Sequence, residues 1–445
     1  MPGTYQFQNW SGAVTVAPKR YVQPATQDEL DFVLAAATSA HLPVRVVGAG
    51  HSFTPVAATD GVLINLDRLS GIISVDRAQQ RVRFHAGTRL RDVPDLLAPY
   101  GLALANQGDV NPQSIAGAVS TGTHGTGLGY TGFAGMVTGL TLLLANGTLR
   151  RLSATEHPEQ FNLARLSLGA VGIITEVELQ CTSAFDLIAQ ESVEDFWEMV
   201  TTFAERSRRH DHVEFFWFPY TSQVMAKTNT RIAPDARADW SGTREPAPRS
   251  HAGRFISEEL LDNGVFHLSC RLSTAAPRLT RALNRAATTL GSQRCYRGRA
   301  HEVFVSPRRV RFNEMEYAVP LEALVDVMQD IKRAFKRHGW PIGFPIEVRA
   351  TAADDVPLST AYGRESAYIA VHRYIRQDYE SYFAAMESIF VAHGGRPHWG
   401  KMHTRTATEL TELYPRFTDF TELRRELDPQ GVFATPYLDD LFGGR

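Results

Sequence analysis

Two glycine-rich segments and one pair of strands carry the residue types best suited to chemistry. The first segment, "VVGAGHSFTP", runs from Val46 to Pro55 and places Gly48 and Gly50 directly before His51. Consecutive backbone N–H groups in a loop of small residues form a concavity that binds anions such as phosphate. An imidazole at this place can act as a nucleophile, a base or a metal ligand. The segment therefore predicts a phosphate-binding loop with one reactive side chain, and a plain tight turn is the alternative.

A second segment has the same character. Residues Ser114 to Gly132, "SIAGAVSTGTHGTGLGYTG", contain six glycines interleaved with hydroxyl residues. This is too much glycine for a stable helix interior, and it suits backbone that lies against a ligand. A flexible surface loop is the alternative, but two such segments in one part of the chain favour one long ligand that touches both.

The first segment departs from the dinucleotide fingerprint G-x-G-x-x-G, because Phe53 stands at the third glycine position. Asp67 lies where a ribose-binding acid is expected, yet the residues in between, "VLINL", have the pattern of a strand and not of a helix. A Rossmann fold is therefore disfavoured.

Polar residues alternate along two strands of the second half. In "FPIEVRA" the period of two places Glu347 and Arg349 on one face, and in "SAYIAVHRYI" it places His372 and Tyr374 together. If these strands pair, the four side chains share a surface that offers donors and acceptors to a hydroxylated substrate and cations to an oxyanion. An exposed sheet face with an ordinary ion pair is the alternative.

A third segment, "GGRPHWGKMH", joins two histidines, an indole and Lys401 within residues 394–403. Lysine usually lies on a solvated face, but the neighbouring Trp399 and Met402 can enclose part of this side chain. A metal site is not predicted, because the histidines of these segments lack the paired spacing of zinc ligands and have no carboxylate in a local motif. These histidines are His51, His124, His398 and His403.

The elements that must position these residues form an α+β unit in the first 180 residues. "TQDELDFVLAAATSA" predicts a helix from Thr26 to Ala40 that Thr26 caps. Strands are indicated at "PVRVV", "VLINL", "RVRFHAG", "LTLLLANGTLRRL" and "VGIITEVELQC", with a hairpin turn at Asn146-Gly147.

The pattern changes near Thr182, where a second mixed region begins. Strands are indicated at "HVEFFWF", "RFNEMEYAVP", "FPIEVRA" and "SAYIAVHRYI", and helices at "PLEALVDVMQDIKRAFKRHG" and "YESYFAAMESIFVAHGG". Residues from about 231 to 255 are rich in Pro, Arg and small residues and predict an exposed loop.

The amino-acid composition limits the classes of protein to which this chain can belong. The 445 residues are 43% hydrophobic and 21% charged, with a formal net charge of −2, which is typical of a soluble globular protein of two or three domains. Nucleic acid is disfavoured as a partner, because binding it needs a positive excess. The one basic stretch, Arg294 to Phe312, is interpreted as a solvated face.

The cysteines and the apolar runs indicate the cellular compartment in which the protein is expected. The three cysteines lie far apart without CxxC spacing, which disfavours a disulfide framework and a zinc ribbon. The N-terminus lacks the pattern of a signal peptide, and "MVTGLTLLLA" is only about half of a membrane span. We expect a cytoplasmic protein without a membrane span.

Taken in order along nearly the whole chain, these segments resemble the aldonolactone oxidoreductases. The stretches that carry the resemblance are "YVQPATQDELDFVLAAA", "VVGAGHSFTPVAATDG", "STGTHGTG", "MEYAVP", "EVRATAADDVPLS", "GGRPHWGKMH" and "LDPQGVFATPYLDDLFG". This is the family of the L-gulono-1,4-lactone and D-arabinono-1,4-lactone oxidases, with alditol oxidase as a near relative, and it has the vanillyl-alcohol-oxidase flavoprotein fold.

The resemblance implies FAD as the cofactor. The loop from Gly48 to Ser52 would wrap its pyrophosphate, and His51 would carry the flavin covalently. The residues that the resemblance assigns to the cofactor are Val47, Gly48, Ala49, Gly50, His51, Ser52, Ser114, Gly117, Thr121, Gly122, Thr123, His124 and Ile173.

A substrate site is implied as well. Glu347 and Arg349 match the family's Glu-x-Arg pair, and Lys401 matches its active-site lysine. Arg349 and Lys401 would stabilise negative charge on the substrate oxygen or the reduced flavin, and Glu347 would orient sugar hydroxyl groups.

Three further positions bear on substrate and oxidant. His372 and Tyr374 fall where alditol oxidase carries His and Thr, and Asp109 stands where that enzyme has Ser, so Tyr374 and Asp109 weaken a linear polyol as substrate. Gly108 stands where an alanine of this family shields the flavin from O₂, which implies an oxidase.

The implied fold class is α+β. A vanillyl-alcohol-oxidase (PCMH-type) FAD-binding domain would span residues 1–182, an α+β cap domain with a large antiparallel sheet residues 183–403, and a segment that returns to the FAD domain residues 404–445. The implied activity is oxidation of a sugar-derived 1,4-lactone by hydride transfer to flavin N5, with O₂ reduced to H₂O₂ and an ascorbate-type product. A polyol oxidase, a dehydrogenase that reduces a cytochrome or dye, and a sugar-binding protein without catalysis are the alternatives. The oligomeric state is not predicted.

Overall fold

The computed structural model describes residues 5–234, 264–289, 293–306 and 308–444. The strands in chain order are β1 (Phe7–Gln8), β2 (Thr15–Val16), β3 (Arg20–Val22), β4 (Val44–Val47), β5 (Val62–Asn65), β6 (Ile72–Asp76), β7 (Arg81–His85), β8 (Leu102–Leu104), β9 (Val137–Leu143), β10 (Leu149–Ser153), β11 (Ile173–Ser183), β12 (Asp186–Asp195), β13 (His212–Trp217), β14 (Gln223–Ile232), β15 (Arg294–Arg299), β16 (Phe312–Pro320), β17 (Ile346–Thr351), β18 (Ser366–Tyr374) and β19 (Arg396–Pro397). The α-helices are α1 (Gln27–Ser39), α2 (Val93–Leu97), α3 (Ile115–Ser120), α4 (Pro158–Ala164), α5 (Phe196–Arg209), α6 (Phe266–Ala275), α7 (Thr280–Thr289), α8 (Ala300–Phe304), α9 (Leu324–His338), α10 (Glu380–Ala392), α11 (Ala407–Leu413), α12 (Phe417–Leu427) and α13 (Pro436–Phe442).

The first part of the chain contains two sheets besides the short hairpin of β1 and β2. Strands β3, β5 and β4 form a parallel sheet, and β10-β9-β11-β7-β6 form an antiparallel one in which β8 also pairs with β11. Helix α1 begins after Thr26, whose hydroxyl accepts a hydrogen bond from Glu29 N at 3.1 Å, as its sequence predicts. The Asn146-Gly147 hairpin is confirmed between β9 and β10, with Gly147 at a φ of 82°.

The second part is built on an eight-stranded antiparallel sheet in the order β15-β12-β14-β13-β17-β18-β16-β19. Helices α5, α9 and α10 cover one face of it and form one hydrophobic cluster with its inward side chains. Helix α9 packs on the sheet because its buried residues recur at helical spacing on one side. These residues are Leu324, Val327, Met328, Ile331, Ala334 and Phe335. On the opposite face, strands β16, β17 and β18 present polar side chains to the site described below.

The C-terminal helices α11, α12 and α13 pack into the hydrophobic cluster of the first part of the chain. The same two regions also meet through strand β4. Val44 N donates to Val432 O at 2.7 Å. The buried guanidinium of Arg45 donates to four main-chain carbonyls, those of Val56, Leu168, Gly169 and Phe433. Residues near the end of the chain therefore fix the strand that leads into the glycine loop.

Three local expectations need correction or a limit. The second glycine-rich segment begins with helix α3, because Ser114 caps it by accepting from Gly117 N at 3.3 Å and the other glycines lie beyond residue 121. The basic stretch from 294 to 312 is not only a solvated face, since it forms β15 and α8 and sends one arginine to the site described below. Of the exposed loop expected over 231–255, residues 235–255 lie outside the described residues.

None of the described helices is long and apolar enough to cross a bilayer.

Candidate active site

Two cavities meet at the glycine loop. The larger, the glycine cavity, has a volume of about 1070 Å³, and its lining includes Val47, Gly48, Ala49, Gly50, His51, Ser52, Ser114, Gly117, Thr121 and Ile173. The other, the polar cavity, has a volume of about 760 Å³, and its lining includes Gly108, Thr123, His124, Glu347, Arg349, His372 and Lys401. Both are lined by His51, Ser52, Gln113 and Thr121, so one elongated ligand can occupy both.

Two of the residues expected at the site do not line either cavity. Gly122 has a φ of 74° and turns the chain beside Leu166, whose Cδ1 lies 3.0 Å from the position of an added Cβ. Tyr374 packs in a small cluster with Phe312, and its hydroxyl lies 3.2 Å from His267 Nε2. Tyr374 therefore does not shape the polar cavity.

The glycine loop has the geometry of an anion cradle. A Cβ on Gly48 would lie 2.4 Å from Ser114 Oγ, and Gly50 has a φ of 67°, so both positions require glycine. None of the described residues accepts a hydrogen bond from the backbone N–H groups of residues 49–52. Consecutive backbone donors without acceptors among the described residues suit a phosphate or pyrophosphate group.

His51 stands where the two cavities join. Its ring stacks on Trp10 with 5.3 Å between the ring centres. Burial, and to a smaller degree the charge of Lys401, lowers the pKa of His51 to about 4. The imidazole is therefore neutral at pH 7 and keeps a nitrogen lone pair for bond formation.

Glu347 and Arg349 lie together on the polar face of β17. Strands β17 and β18 pair antiparallel, with Glu347 opposite Ala370 and Arg349 opposite Tyr368, so the pairing on which the shared surface depended is confirmed. Glu347 is only 5% exposed and Arg349 9%. The alternative of an exposed sheet face is therefore wrong.

One carboxylate oxygen of this pair lacks a well-aligned hydrogen bond among the described residues. Arg349 Nη2 contacts Glu347 Oε1, but among the described residues no group donates a well-aligned hydrogen bond to that oxygen. Arg349 Nε instead donates to Glu214 Oε2 at 3.0 Å. Burial raises the pKa of Glu347 to about 7, against the opposing charge of Arg349. A substrate hydroxyl can supply the missing donor.

Strand β16 adds two carboxylates that the sequence reasoning missed. Glu314 and Glu316 stand two residues apart, and both line the polar cavity. Met315 and Tyr317, which alternate with them, belong to the hydrophobic cluster on the other face of the sheet. The period of two in "RFNEMEYAVP" was the signal that could have identified them. Lys401 Nζ donates to Glu314 Oε2, so the lysine reaches the site already paired with a carboxylate.

Glu314 also connects Lys401 with His372. His372 Nε2 lies 3.5 Å from Glu314 Oε1, and its Nδ1 lies 3.1 Å from the carbonyl oxygen of Pro345. Burial would raise the pKa of Glu314, but the charges of Lys401 and His372 lower it to about 2. Glu314 is therefore ionised at pH 7 and holds Lys401 and His372 in place.

Glu316 forms a buried cluster with His124 and His398, and their ligand-type atoms lie within 4.8 Å of one another. His124 Nδ1 faces the carbonyl oxygen of Gly125 at 2.9 Å, and its Nε2 lies 3.3 Å from Glu316 Oε1. Gly400 N donates to His398 Nδ1 at 3.0 Å, so the proton of His398 is on Nε2. Hydrogen bonds thus connect both imidazole rings of this cluster to the main chain.

Gly108 lies in the wall of the polar cavity, one residue before a further carboxylate. A Cβ added to Gly108 would lie 2.9 Å from His124 O, so any larger residue there must shift the backbone. Asp109 accepts from Arg308 Nε at 3.0 Å and lies 3.6 Å from Arg349 Nη2. Arg308 is the arginine of the basic stretch that reaches the site, and no local spacing connected it with Asp109.

Comparison with known sequences gives matches over both parts of the chain. The family named D-arabinono-1,4-lactone oxidase matches residues 177–441, and the family named FAD binding domain matches residues 18–153. The L-gulono-1,4-lactone dehydrogenase of Mycobacterium tuberculosis is 39% identical over 437 residues, covering 98% of this chain and 99% of that protein. The L-gulonolactone oxidase of Mus musculus is 31% identical over 446 residues, covering 98% of each.

A more distant relative and two solved structures complete the comparison. The alditol oxidase of a Streptomyces species is 30% identical over 449 residues, covering 98% of this chain and 99% of that protein. A solvent-stable cholesterol oxidase superposes with a TM-score of 0.83 at 21% identity, over 98% of this chain and 97% of that one. The cholesterol oxidase from B. sterolicum gives a TM-score of 0.81 at 17% identity, over 98% and 96%. The fold is thus an FAD-binding α+β domain of the PCMH type joined to a region with a large antiparallel sheet. The chain belongs to the D-arabinono-1,4-lactone oxidase family of FAD-dependent aldonolactone oxidoreductases.

Proposed function

We propose that this protein oxidises a sugar-derived 1,4-lactone such as L-gulono-1,4-lactone, with O₂ as the electron acceptor and H₂O₂ as the second product. The product would be of the ascorbate type. The FAD domain would comprise residues 1–182, the cap 183–403, and the returning segment 404–445. Its three free cysteines favour a reducing compartment, and we propose the cytoplasm.

The glycine cavity fits the cofactor. FAD would supply a two-electron acceptor for hydride when bound, and residues 48–52 and Ser114 would hold its pyrophosphate. Backbone N–H groups of residues 49–52 would donate to the phosphate oxygens. His51, neutral and placed between the two cavities, would carry the flavin ring through a covalent bond to an imidazole nitrogen.

The observation that carries the proposal is the buried Glu347 carboxylate, one oxygen of which has an ion-pair contact with Arg349 but no well-aligned hydrogen bond, in a cavity that also presents Lys401. Glu347 would accept a hydrogen bond from a sugar hydroxyl and so orient the ring. Arg349 and Lys401 would stabilise the negative charge that develops on the substrate oxygen as hydride leaves the carbinol carbon. Water is kept from these groups by their burial, which strengthens each interaction.

A panel of lactones and polyols, read by peroxide release and by bleaching of the flavin absorbance, tests the proposal. We expect six- and five-carbon aldono-1,4-lactones to bleach the flavin under anaerobic conditions and to release H₂O₂ in air. Bleaching by polyols with no response to lactones would assign the protein to polyol oxidation instead. Tyr374 and Asp109 are two of the positions at which this chain differs from alditol oxidase. Because Tyr374 lies outside the polar cavity, only Asp109 of the two argues against a polyol substrate.

A dehydrogenase is the second candidate, since the relative at 39% identity bears that name. Both activities use the same reductive step and differ in how the reduced flavin is reoxidised. Stopped-flow mixing of reduced protein with O₂ distinguishes them. Slow reoxidation by O₂ together with fast reoxidation by cytochrome c or a dye would favour the dehydrogenase.

Substituting Gly108→Ala is expected to slow reoxidation of the reduced flavin by O₂ and to leave its reduction by lactone unchanged. The added methyl group would stand in the wall of the polar cavity, where it obstructs O₂. Because this Cβ would also press on His124 O, the melting temperature of the variant is measured alongside. Unchanged O₂ reactivity in a stably folded variant would remove Gly108 as a determinant of the oxidant.

The pH dependence of kcat/KM for the lactone is expected to show a rise through about pH 7, because the ionised form of Glu347 accepts the substrate hydroxyl. Glu347→Gln should lower kcat/KM and abolish this step. Stability depends on pH in the opposite sense. Because burial raises the pKa of Glu347, the folded state favours the protonated carboxyl group. The contribution of this group to the free energy of unfolding is therefore lost as pH rises through about 7. Initial rates of both proteins over this range check the prediction, and an identical step in the glutamine variant would contradict it.

A further inference from the structure

The entrance of the polar cavity has a guanidinium–carboxylate pair of its own, formed by Asp109 and Arg308 and called the mouth pair below. The side chain of Arg308 is 33% exposed, whereas those of Arg349 and Glu347 are 11% and 6% exposed. Arg308 therefore lies at the solvent end of the cavity, and the Arg349–Glu347 pair lies at its inner end. The mouth pair is thus closer to solvent than the Arg349–Glu347 pair.

The mouth pair is firmly held. Arg308 Nε donates to Asp109 Oδ2 at 3.0 Å, and its Nη2 contacts the same oxygen. Ser306 N donates to Asp109 O at 3.1 Å, so main chain from the two regions is also joined at this point. Asp109 Oδ1 lies 3.6 Å from Arg349 Nη2, which makes the outer and inner pairs adjacent. One small molecule can contact both.

We infer that the mouth pair binds the hydroxylated side chain of the lactone, at the end of the substrate away from the oxidised carbon, and selects substrates that carry a vicinal diol there. This inference rests on the proposed function. A carboxylate accepts from one hydroxyl group while the guanidinium donates to the other, which is the complement of a diol.

The charges favour a neutral diol over an anionic group. The cations of the cavity wall among the described residues each contact a carboxylate, as in Arg308 with Asp109, Arg349 with Glu347 and Lys401 with Glu314. Burial alone would raise the pKa of Asp109, but the charges of Arg308 and Arg349 hold it well below its usual range. Asp109 is thus an acceptor throughout the working pH range, and it would repel a substrate carboxylate or phosphate.

The two sugars named among the relatives provide the test. The side chain of L-gulono-1,4-lactone is a vicinal diol, and that of D-arabinono-1,4-lactone is a single hydroxymethyl group. We expect Arg308→Met to raise KM for the six-carbon lactone by about 10- to 100-fold, the loss of a charged hydrogen bond, with kcat unchanged. KM for the five-carbon lactone should change much less. Asp109→Asn should act in the same direction, and the double variant should be no worse than the more severe single variant.

The control is Arg309→Met, because Arg309 is the neighbouring exposed arginine and does not line either cavity. It should leave both KM values as in the wild type. Equal increases for the two lactones in Arg308→Met, or no increase for either, would overturn the inference while the proposed function stands. A wild-type flavin that neither lactone reduces would overturn the proposed function, and the inference with it.

Discussion

Denatured His51→Ala protein is expected to give a dark gel band, and the wild-type band is expected to fluoresce yellow. The glycine cavity does not depend on the imidazole, so the variant should still take up FAD and become colourless on denaturation and gel filtration. A covalent bond survives unfolding and a cradle of hydrogen bonds does not, which makes the expected difference all or none. Fluorescence of the gel under acid conditions measures it.

His210→Ala is the matched control, since His210 is exposed and lies outside both cavities. Its band should be as bright as that of the wild type. A dark wild-type band would show that the flavin is held without a covalent bond. A bright His51→Ala band would place the bond on another residue, and His124 would then be the next to substitute because it also lines the polar cavity.

Lys401→Met is expected to lower the rate of flavin reduction by saturating lactone about 100- to 1000-fold, the usual effect of removing one buried group that stabilises a developing oxyanion. Flavin content should not change. The measurement is anaerobic stopped-flow reduction of the variant. Lys336→Met, on the exposed side of α9, serves as the control for the loss of a lysine.

A complication comes from Glu314, because the single variant leaves this buried carboxylate without its strongest partner. The double variant Lys401→Met with Glu314→Gln removes both charges and should fold at least as well as the single variant. If the ammonium acts on the substrate oxygen, the double variant remains slow. Recovery of the rate in the double variant would show that Lys401 serves only to neutralise Glu314.

Local patterns in the sequence predicted the parts of the site that one segment provides. The period of two in "FPIEVRA" placed Glu347 and Arg349 on one face, and the structure buries both. Small residues around His51 indicated a backbone cradle, and Gly48 and Gly50 have the close contact and the positive φ that demand glycine. The alternation along β17 and the positive φ of Gly50 depend on neighbours in the chain, so they can be predicted without the fold, whereas the close contact of Gly48 is with the distant Ser114.

Contacts between distant segments could not be predicted in this way. Asp109 and Arg308 are 199 residues apart, and the arginine looked like one of several on a solvated face. The histidines have no carboxylate in a local sequence motif, but the fold brings Glu316 from β16 to His124 and His398. Ionisable residues are rarely buried without partners, so two glutamates in one buried strand were the hint that such partners exist.

Several strands were also missed, for a related reason. Strands β12 and β14 pair over their whole lengths, but both carry many polar residues and only part of each is buried. Hydrophobic periodicity detects a strand by its buried face and is weak where both faces are partly solvated. The large antiparallel sheet was therefore expected from the resemblance to known flavoproteins rather than from these strands.

The anchoring of β4 by residues 432 and 433 has a consequence for biogenesis. The strand that precedes the cofactor loop is bonded to main chain 388 residues later in the sequence, so that loop can be fixed only after residues 432 and 433 have been synthesised. Binding of the flavin is then expected to follow synthesis of this later segment, and a protein truncated before residue 432 should be recovered as apoprotein even though every residue of the loop is present.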